Sequence, residues 1–432
     1  MSKKITFALV GAGSRGLDCF GKYILQDSEN VKIVAVAEPR EFQRNEAVRR
    51  HEILPAQVFS DWQEMLAKPR LADAVIITTT DRVHMAPAIA AAEKGYHILL
   101  EKPMAPTARE CIRIVETCKK NHVMLSVCHG LRYAPYYVKI KEFLNKGILG
   151  EVCTIQHLEG VAWWHQAHAF VRGNFGNESR SSFMLLAKCC HDMDLLRWWI
   201  GKKCLAVSSF GYLKHFRKDK RPAGAADRCM DCSLADAKCS YSAKKIYFQK
   251  LQSNELSWPL NMVIDEMTPE ALDNALRTGP YGRCVYACDN DVVDHQVVNL
   301  SFEDDITASF TMTAFTPPGR KTRIMGSLGY LEGDENIIRV FDYNTEQWTE
   351  FDINKFASEI TDGHGGGDQR LIHDFIFALQ TGDPSLIKTG PDITLESHLM
   401  VFAAEKSRRT GKTVQMKRFG VYEDDSNRSY SE

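Results

Sequence analysis

The chain has almost no net charge: 54 lysines and arginines against 55 aspartates and glutamates leave −1 at pH 7. Without an excess of one sign there is no long-range field to gather nucleic acid or an anionic membrane, so neither is expected as a partner. Long hydrophobic runs are missing too. The first apolar stretch, Ile5–Val10, is too short for a membrane span or for the apolar core of a secretion signal, and the expected location is cytoplasmic. No internal repeat is visible. What is present is ordinary for a globular protein, since 44% apolar and 25% charged residues exclude a largely disordered chain. At 432 residues it exceeds what one hydrophobic core supports, so two domains are expected.

The first third alternates short β-branched runs with amphipathic stretches. Strands are predicted over Ile5–Val10, Val31–Ala37, Ala74–Thr78, Ile98–Leu100 and Val123–Val127. Between them, Ala86–Lys94 reads as a helix closed by Gly95. Thr107 and Glu110 form a capping box for another helix, with Ile112, Val115 and Cys118 on one face. This is a parallel α/β domain over residues 1–128. Beyond it, Val152–Leu158, Cys204–Tyr212, Val297–Phe302 and Ile306–Thr313 alternate like half-buried strands, with Glu303-Asp304-Asp305 as a hairpin turn. They predict an open, mostly antiparallel sheet in an α+β domain over 129–420, with a cysteine-containing insertion at about 217–290. Gly363–Gly367 reads as a flexible hinge into a helix from near Asp368, and Ile393–Ser407 as a further helix. Residues 421–432 form a polar tail expected to be disordered.

Gly11-x-Gly13-x-x-Gly16 follows the first strand and opens a helix. Gly11 permits a tight turn, Gly13 a close approach to a pyrophosphate, and Gly16 close helix–strand packing. Ser14 and Arg15 lie inside the motif, where the helix N-terminus offers free N–H groups to phosphate. Glu38, about twenty residues on at the end of the second strand, suits the ribose 2′-hydroxyl. It would repel a 2′-phosphate, which favours NAD over NADP. Arg40 is close enough to serve a phosphate instead.

Glu101-Lys102-Pro103 at the end of a parallel strand, Thr79-Thr80-Asp81-Arg82-Val83-His84, Arg132-Tyr133-x-Pro135 and His191-x-x-Asp194 complete a set of motifs. With the glycine turn they resemble the glucose–fructose oxidoreductase, inositol dehydrogenase and MocA (Gfo/Idh/MocA) family over most of the chain except roughly 217–290. The resemblance implies NAD(P)-dependent oxidation of CH–OH groups. It places Thr79, His84, Glu101 and Lys102 at the cofactor, and Lys102 and His191 in catalysis. A lysine aimed by Pro103 can hydrogen-bond a substrate hydroxyl, and an imidazole can take its proton. The resemblance also implies a homodimer or homotetramer paired through the open sheet.

In one place the pattern is broken. Relatives commonly carry an aspartate four residues before that histidine, and this chain has Ala187, followed by Lys188. Lys188 could contact an anionic substrate or face solvent. Tyr133, Trp164 and His168 are further substrate candidates, with Trp163, His165 and Arg172 in the same stretch; paired tryptophans suit a sugar face and a packed loop equally. His364 lies where flexible backbone could approach a ligand.

The thirteen cysteines, where they fall in apolar stretches, read as buried small hydrophobes. Cys229-x-x-Cys232, Cys239 and Cys284 are spaced to bind a structural zinc that would staple the insertion, with Cys288 as a rival fourth ligand. The expected function is oxidation of a secondary hydroxyl of a carbohydrate-like small molecule by hydride transfer. The alternatives are an NAD-dependent glycosidase working by transient oxidation and elimination, or a non-catalytic dinucleotide-binding sensor.

Overall fold

The computed structural model describes residues 4–236, 238–355 and 362–419. β1 (Ile5–Val10), β2 (Val31–Ala37), β3 (Val58–Phe59), β4 (Ala74–Ile77), β5 (His97–Leu100) and β6 (Leu125–Val127) form a parallel sheet in the order β3-β2-β1-β4-β5-β6. Sheets covered on both faces need continuous apolar strands, and β4 is buried throughout. The strand order switches between β1 and β4, so the loops after these strands open on the crevice where such sheets bind ligands. The capping box is formed: Thr107 and Glu110 exchange side-chain and backbone hydrogen bonds at 3.2 Å. The helix it starts, Ala108–Lys120, buries Ile114 beside Val115 and Cys118, in place of the Ile112 expected.

The second sheet has nine strands: β7 (Val152–Gly160), β8 (Cys204–Tyr212), β9 (His295–Phe302), β10 (Thr307–Thr313), β11 (Gly319–Gly326), β12 (Gly329–Gly333), β13 (Ile337–Asp342), β14 (Gln347–Asp352) and β15 (Val414–Gln415). Their order is β14-β13-β12-β11-β7-β10-β9-β8-β15, and only the β7–β10 pair is parallel. The β9–β10 hairpin turns where expected, with Asp304 and Asp305 at φ of +59° and +57°. Alternation along β9 and β10 buries Val298, Leu300, Phe310 and Met312 beneath the helices Met184–Ile200 and Pro391–Thr410. The opposite face is open and presents Phe210, Tyr212 and Val297.

The insertion has a core of its own. Tyr247, Leu260, Leu272 and Leu276 are fully buried between its helices, Ala243–Gln252 and Pro269–Thr278. Cys229, Cys232, Cys239 and Cys284 do line one cavity of about 360 Å³ with Arg172 and Tyr241. Among the described residues, however, no three His, Cys, Asp or Glu side chains converge to hold a metal ion, so the structural zinc is not supported. Apolar packing does the stapling. The segment expected to be a hinge is also different. The helix Asp362–Thr381 begins with positive φ at His364, Gly365 and Gly366 (+48°, +65°, +81°), and a Cβ on Gly367 would lie 2.1 Å from the Gly130 carbonyl oxygen. It is a left-handed turn packed against Gly130. The polar tail lies outside the described residues. No described helix is long and apolar enough to cross a membrane.

Four buried histidines make the fold acid-sensitive. Burial pushes His51 and His398 down to about 4, and His129 and His168 to about 3. These rings stay neutral in the fold but protonate near 6.5 once unfolded. Stability is therefore full above about pH 6.5 and falls as pH drops toward the folded values, by about 1.4 kcal/mol per pH unit for each ring. Thermal unfolding followed by circular dichroism is expected to show a lower midpoint at about pH 5 than at about pH 7. A flat midpoint over that window would contradict the assignment.

Candidate active site

After β1 the chain turns at Gly11, whose φ is +91°. A Cβ there would lie 2.9 Å from the Thr78 carbonyl, and one on Gly16 would lie 2.3 Å from the Gly11 carbonyl oxygen. Both positions require glycine for the turn to close on β4. Gly13 has only the Arg40 guanidinium within reach, at 3.3 Å. Ser14 and Arg15 start a helical segment that is π-wound over Ser14–Gly21 and α-helical from Lys22. Glu38, at the end of β2, accepts the Ala12 N–H at 2.8 Å, the Arg40 N–H at 3.0 Å and Arg40 Nε at 2.8 Å. Burial alone would raise its pKa, but the hydrogen bonds from Arg40 and Ala12 hold it below the usual carboxylate value. An anion thus sits beside the turn, as ribose recognition requires.

The fit to a dinucleotide rests on two orphaned groups as well. Thr79 Oγ1 and Arg15 Nη2 are buried without a hydrogen-bond partner, close to the glycine turn; buried polar atoms are left unpaired in a native fold when a ligand completes them. Two other residues assigned to the cofactor are otherwise engaged. His84 is buried with one ring nitrogen 2.8 Å from the Pro103 carbonyl and the other 3.1 Å from that of Thr79. It ties the loops after β4 and β5 together. Glu101 accepts from Arg15 Nε at 2.5 Å and from the Lys102 N–H at 2.8 Å, so it braces the site from behind.

Lys102 emerges at the end of β5 and donates to the Ala187 carbonyl at 3.0 Å. One turn further along the same helix stands His191, 3% exposed, with neither ring nitrogen hydrogen-bonded. Sequence segments 89 residues apart thus meet at one point. Burial first, then His364, Lys102, His129 and Arg320, push the His191 pKa well below its ordinary value, so the ring is neutral. Beneath it lies a buried ion network. Arg320 bonds Asp192 at 2.6 Å and Glu159 at 2.8 Å, His157 lies 3.0 Å from Asp192, and Lys188 pairs with Glu159 at 3.2 Å. The motif residues Arg132 and Asp194 form a two-point pair at 2.5 and 2.7 Å, with Ser397 also donating to Asp194. They anchor the His191 helix.

The substrate candidates fare unevenly. Tyr133 is 1% exposed, packed in the core beneath the parallel sheet under Lys388, with its hydroxyl turned to Thr389. His168 is likewise withdrawn, hydrogen-bonded to the Tyr247 hydroxyl at 2.7 Å and stacked on Tyr281. Arg172 is buried against carbonyls of Arg283 and Tyr241. Trp164 stacks on His165 and, with Trp163, lines a cleft against the insertion. Lys188 neither floats in solvent nor stands free, since Glu159 holds it. Burial, then Lys188, His168 and Lys102 depress the pKa of His165, which puts that ring near the centre. Sequence reasoning missed His129, Asp368 and Arg320, and placed His364 in a flexible hinge that could approach a ligand. His129 lies two residues beyond β6, the strand-end position where ligands gather, and that was the available signal. Its ring centroid is 5.4 Å from that of His191, and His364 is nearer, at 4.8 Å.

Comparison with known proteins agrees with this geometry. Residues 5–129 match the profile of the oxidoreductase family with an NAD-binding Rossmann fold, and residues 141–416 match its C-terminal alpha/beta domain. YteT of Bacillus subtilis, described as an oxidoreductase, is 25% identical over 317 residues, 70% of this chain and 71% of its own. Inositol 2-dehydrogenase 4 of Saccharopolyspora erythraea is 28% identical over 52% of this chain and 62% of its own length. Levoglucosan dehydrogenase, solved with NADH and levoglucosan, superposes with a TM-score of 0.68 at 18% identity over 96% of this chain and all of its own, a likeness of fold. With both family profiles matched across the two sheets, the chain belongs to the Gfo/Idh/MocA family of NAD-binding oxidoreductases.

Proposed function

We propose that the protein oxidises a secondary hydroxyl of a sugar, polyol or glycoside with NAD. The observation that carries this reading is the meeting of Lys102 with a buried, neutral and unpartnered His191. An ammonium has three donors, and the Ala187 carbonyl takes one, leaving Lys102 free to hold the hydroxyl oxygen. His191 takes the hydroxyl proton on a free ring nitrogen. The nicotinamide, when bound, supplies the acceptor for the hydride. Gly11, Gly13, Ser14, Arg15 and Gly16 would hold its pyrophosphate, Glu38 its ribose, and Thr79 Oγ1 offers a further contact. The inositol and levoglucosan dehydrogenases among the relatives support a carbohydrate-like substrate.

Lys102→Ala and His191→Ala are each expected to lower kcat by about 10²-fold or more while leaving NADH affinity within about threefold. NADH absorbance with a carbohydrate panel and a fluorescence titration measure the two. Turnover unchanged in either variant would remove that residue from the mechanism.

Glu38→Ala is expected to weaken NAD binding by about tenfold, the worth of a charge-assisted hydrogen bond, and to leave NADP binding equal or tighter because Arg40 is released from its partner. Equal weakening of both cofactors would show that Glu38 only shapes the turn.

We also propose that a second copy covers the open sheet face. Phe210 and Tyr212 on β8 and Val297 on β9 stand side by side there, half or more exposed for the two aromatics. Phe210→Glu is expected to shift the mass in light scattering from oligomer to monomer; a wild-type monomer would sink the idea.

A further inference from the structure

His191 is well placed to receive a proton and badly placed to keep one. Lys102 from β5 and Arg320 from β11 are the charged groups that bear on it, and His129 and His364 complete its surround. Both charges are positive. An imidazolium at a site with no exposed nitrogen would be a buried charge without a counter-ion, which burial strongly opposes.

Among those neighbours His364 differs. Its Nδ1 lies 3.0 Å from both carboxylate oxygens of Asp368. Asp368 is fully buried and is gripped by Arg15 Nη1 at 2.7 Å. The His364 side chain is 29% exposed, so it meets water, and its ring is in contact with that of His191. The backbone is arranged to put it there. A histidine at φ +48° occupies the left-handed region at some cost, and such outliers gather at working sites. Gly130 lacks a Cβ where one would come within 2.4 Å of Asp368 Oδ1, so that carboxylate seats only over glycine.

We propose that His364, positioned by Asp368, is a proton-relay residue: the substrate's hydroxyl proton passes from His191 to His364 through a bridging water, since the two rings touch without a direct hydrogen bond, and on to solvent. The inference rests on the oxidoreductase reading above. The O–H bond breaks and its electron pair becomes the second carbonyl bond, while the C–H pair leaves as hydride to NAD. His191 gains the proton at one ring nitrogen and gives one up from the other. His364 keeps its Nδ1–H on the Asp368 carboxylate, accepts the proton at Nε2 and releases it from there, so both rings end neutral and Asp368 stays ionised.

The test uses the full chain with NAD and whichever of a panel of inositols, anhydrosugars, hexoses and hexuronates reduces it fastest. His364→Ala is expected to lower kcat by about 30-fold or more, to keep NADH affinity within about threefold, and to recover about tenfold on adding free imidazole. A rate within threefold of wild type, or no rescue by imidazole, overturns the relay. His364→Gln fills the same space, so a near-normal rate there also overturns it, and a rate as slow as that of His364→Ala supports it. Asp368→Asn removes the carboxylate that holds the His364 ring by Nδ1, so it is expected to lower kcat by about tenfold or more with the substrate KM within about threefold; an unchanged kcat, or a loss that falls on KM alone, overturns the positioning role. If no carbohydrate reduces NAD, the oxidoreductase reading fails by itself.

Discussion

Arg15 carries two carboxylates on one guanidinium, and the site is assembled around that fact. Its Nε meets Glu101 at the end of β5, and its Nη1 meets Asp368 at the start of a helix 353 residues later in the chain. Asp368 has no exposed surface, so in the absence of this cation it would be a buried charge with a histidine and the Cys19 thiol, but no fixed positive charge, beside it. The pairing joins the glycine turn, the Lys102 loop and the His364 turn into one body. A residue inside a phosphate-binding motif thereby fixes groups on the far wall of the crevice. Each of the other distances at the centre depends on those three segments being held together.

The second constraint is electrostatic. Under the His191 helix, Arg320, Lys188 and His157 are matched against Asp192 and Glu159, all in contact and nearly all buried. Such a network is costly unless every member is paired. Paired as it is, it leaves Lys102 as a cation that no carboxylate neutralises among the described residues at this centre. Burial first, and the positive charge of Lys102 with it, keeps His129 and His191 neutral. The same charge would favour the oxygen that develops negative charge next to Lys102.

Much of the first domain was legible because its signals are local. A glycine turn between a strand and a helix, an acid at the end of the next strand and a capping box each follow from a few adjacent residues, and each is where the pattern put it. Glu38 could be named from spacing alone. β12 to β14 went unnamed because they are short and partly exposed, whereas β11 alternates cleanly in burial but sets the polar Arg320 and Thr322 on its buried face, so no apolar period marks it. Asp368 and Arg320 could not be seen, since their meaning lies in partners hundreds of residues away. Tyr133 and His168 show a limit of pattern reading: side chains that suit sugar contacts suit a packed core equally well, and here both are buried with protein partners. The insertion was misread for a related reason. Its apolar residues lie on short helices and loops without a long period, yet they close into a core around Tyr247, and the cysteines line a cavity at its edge.

Ala187 is the position where these strands of argument meet. An aspartate there would give Lys102 a counter-ion and His191 a carboxylate on the same helix face. This chain gives Lys102 a backbone carbonyl, which orients the ammonium without neutralising it. In the proposed oxidation the full charge would then be available to the substrate oxygen, and the hydroxyl would be easier to ionise. What is lost is the carboxylate that would steady a protonated His191. Asp368 can supply that only through His364, from the other side of the ring and with an opening to solvent. The exchange moves the negative charge from beside the lysine to behind the histidines, so attraction of the proton and stabilisation of the oxyanion act at opposite ends of the site and do not cancel.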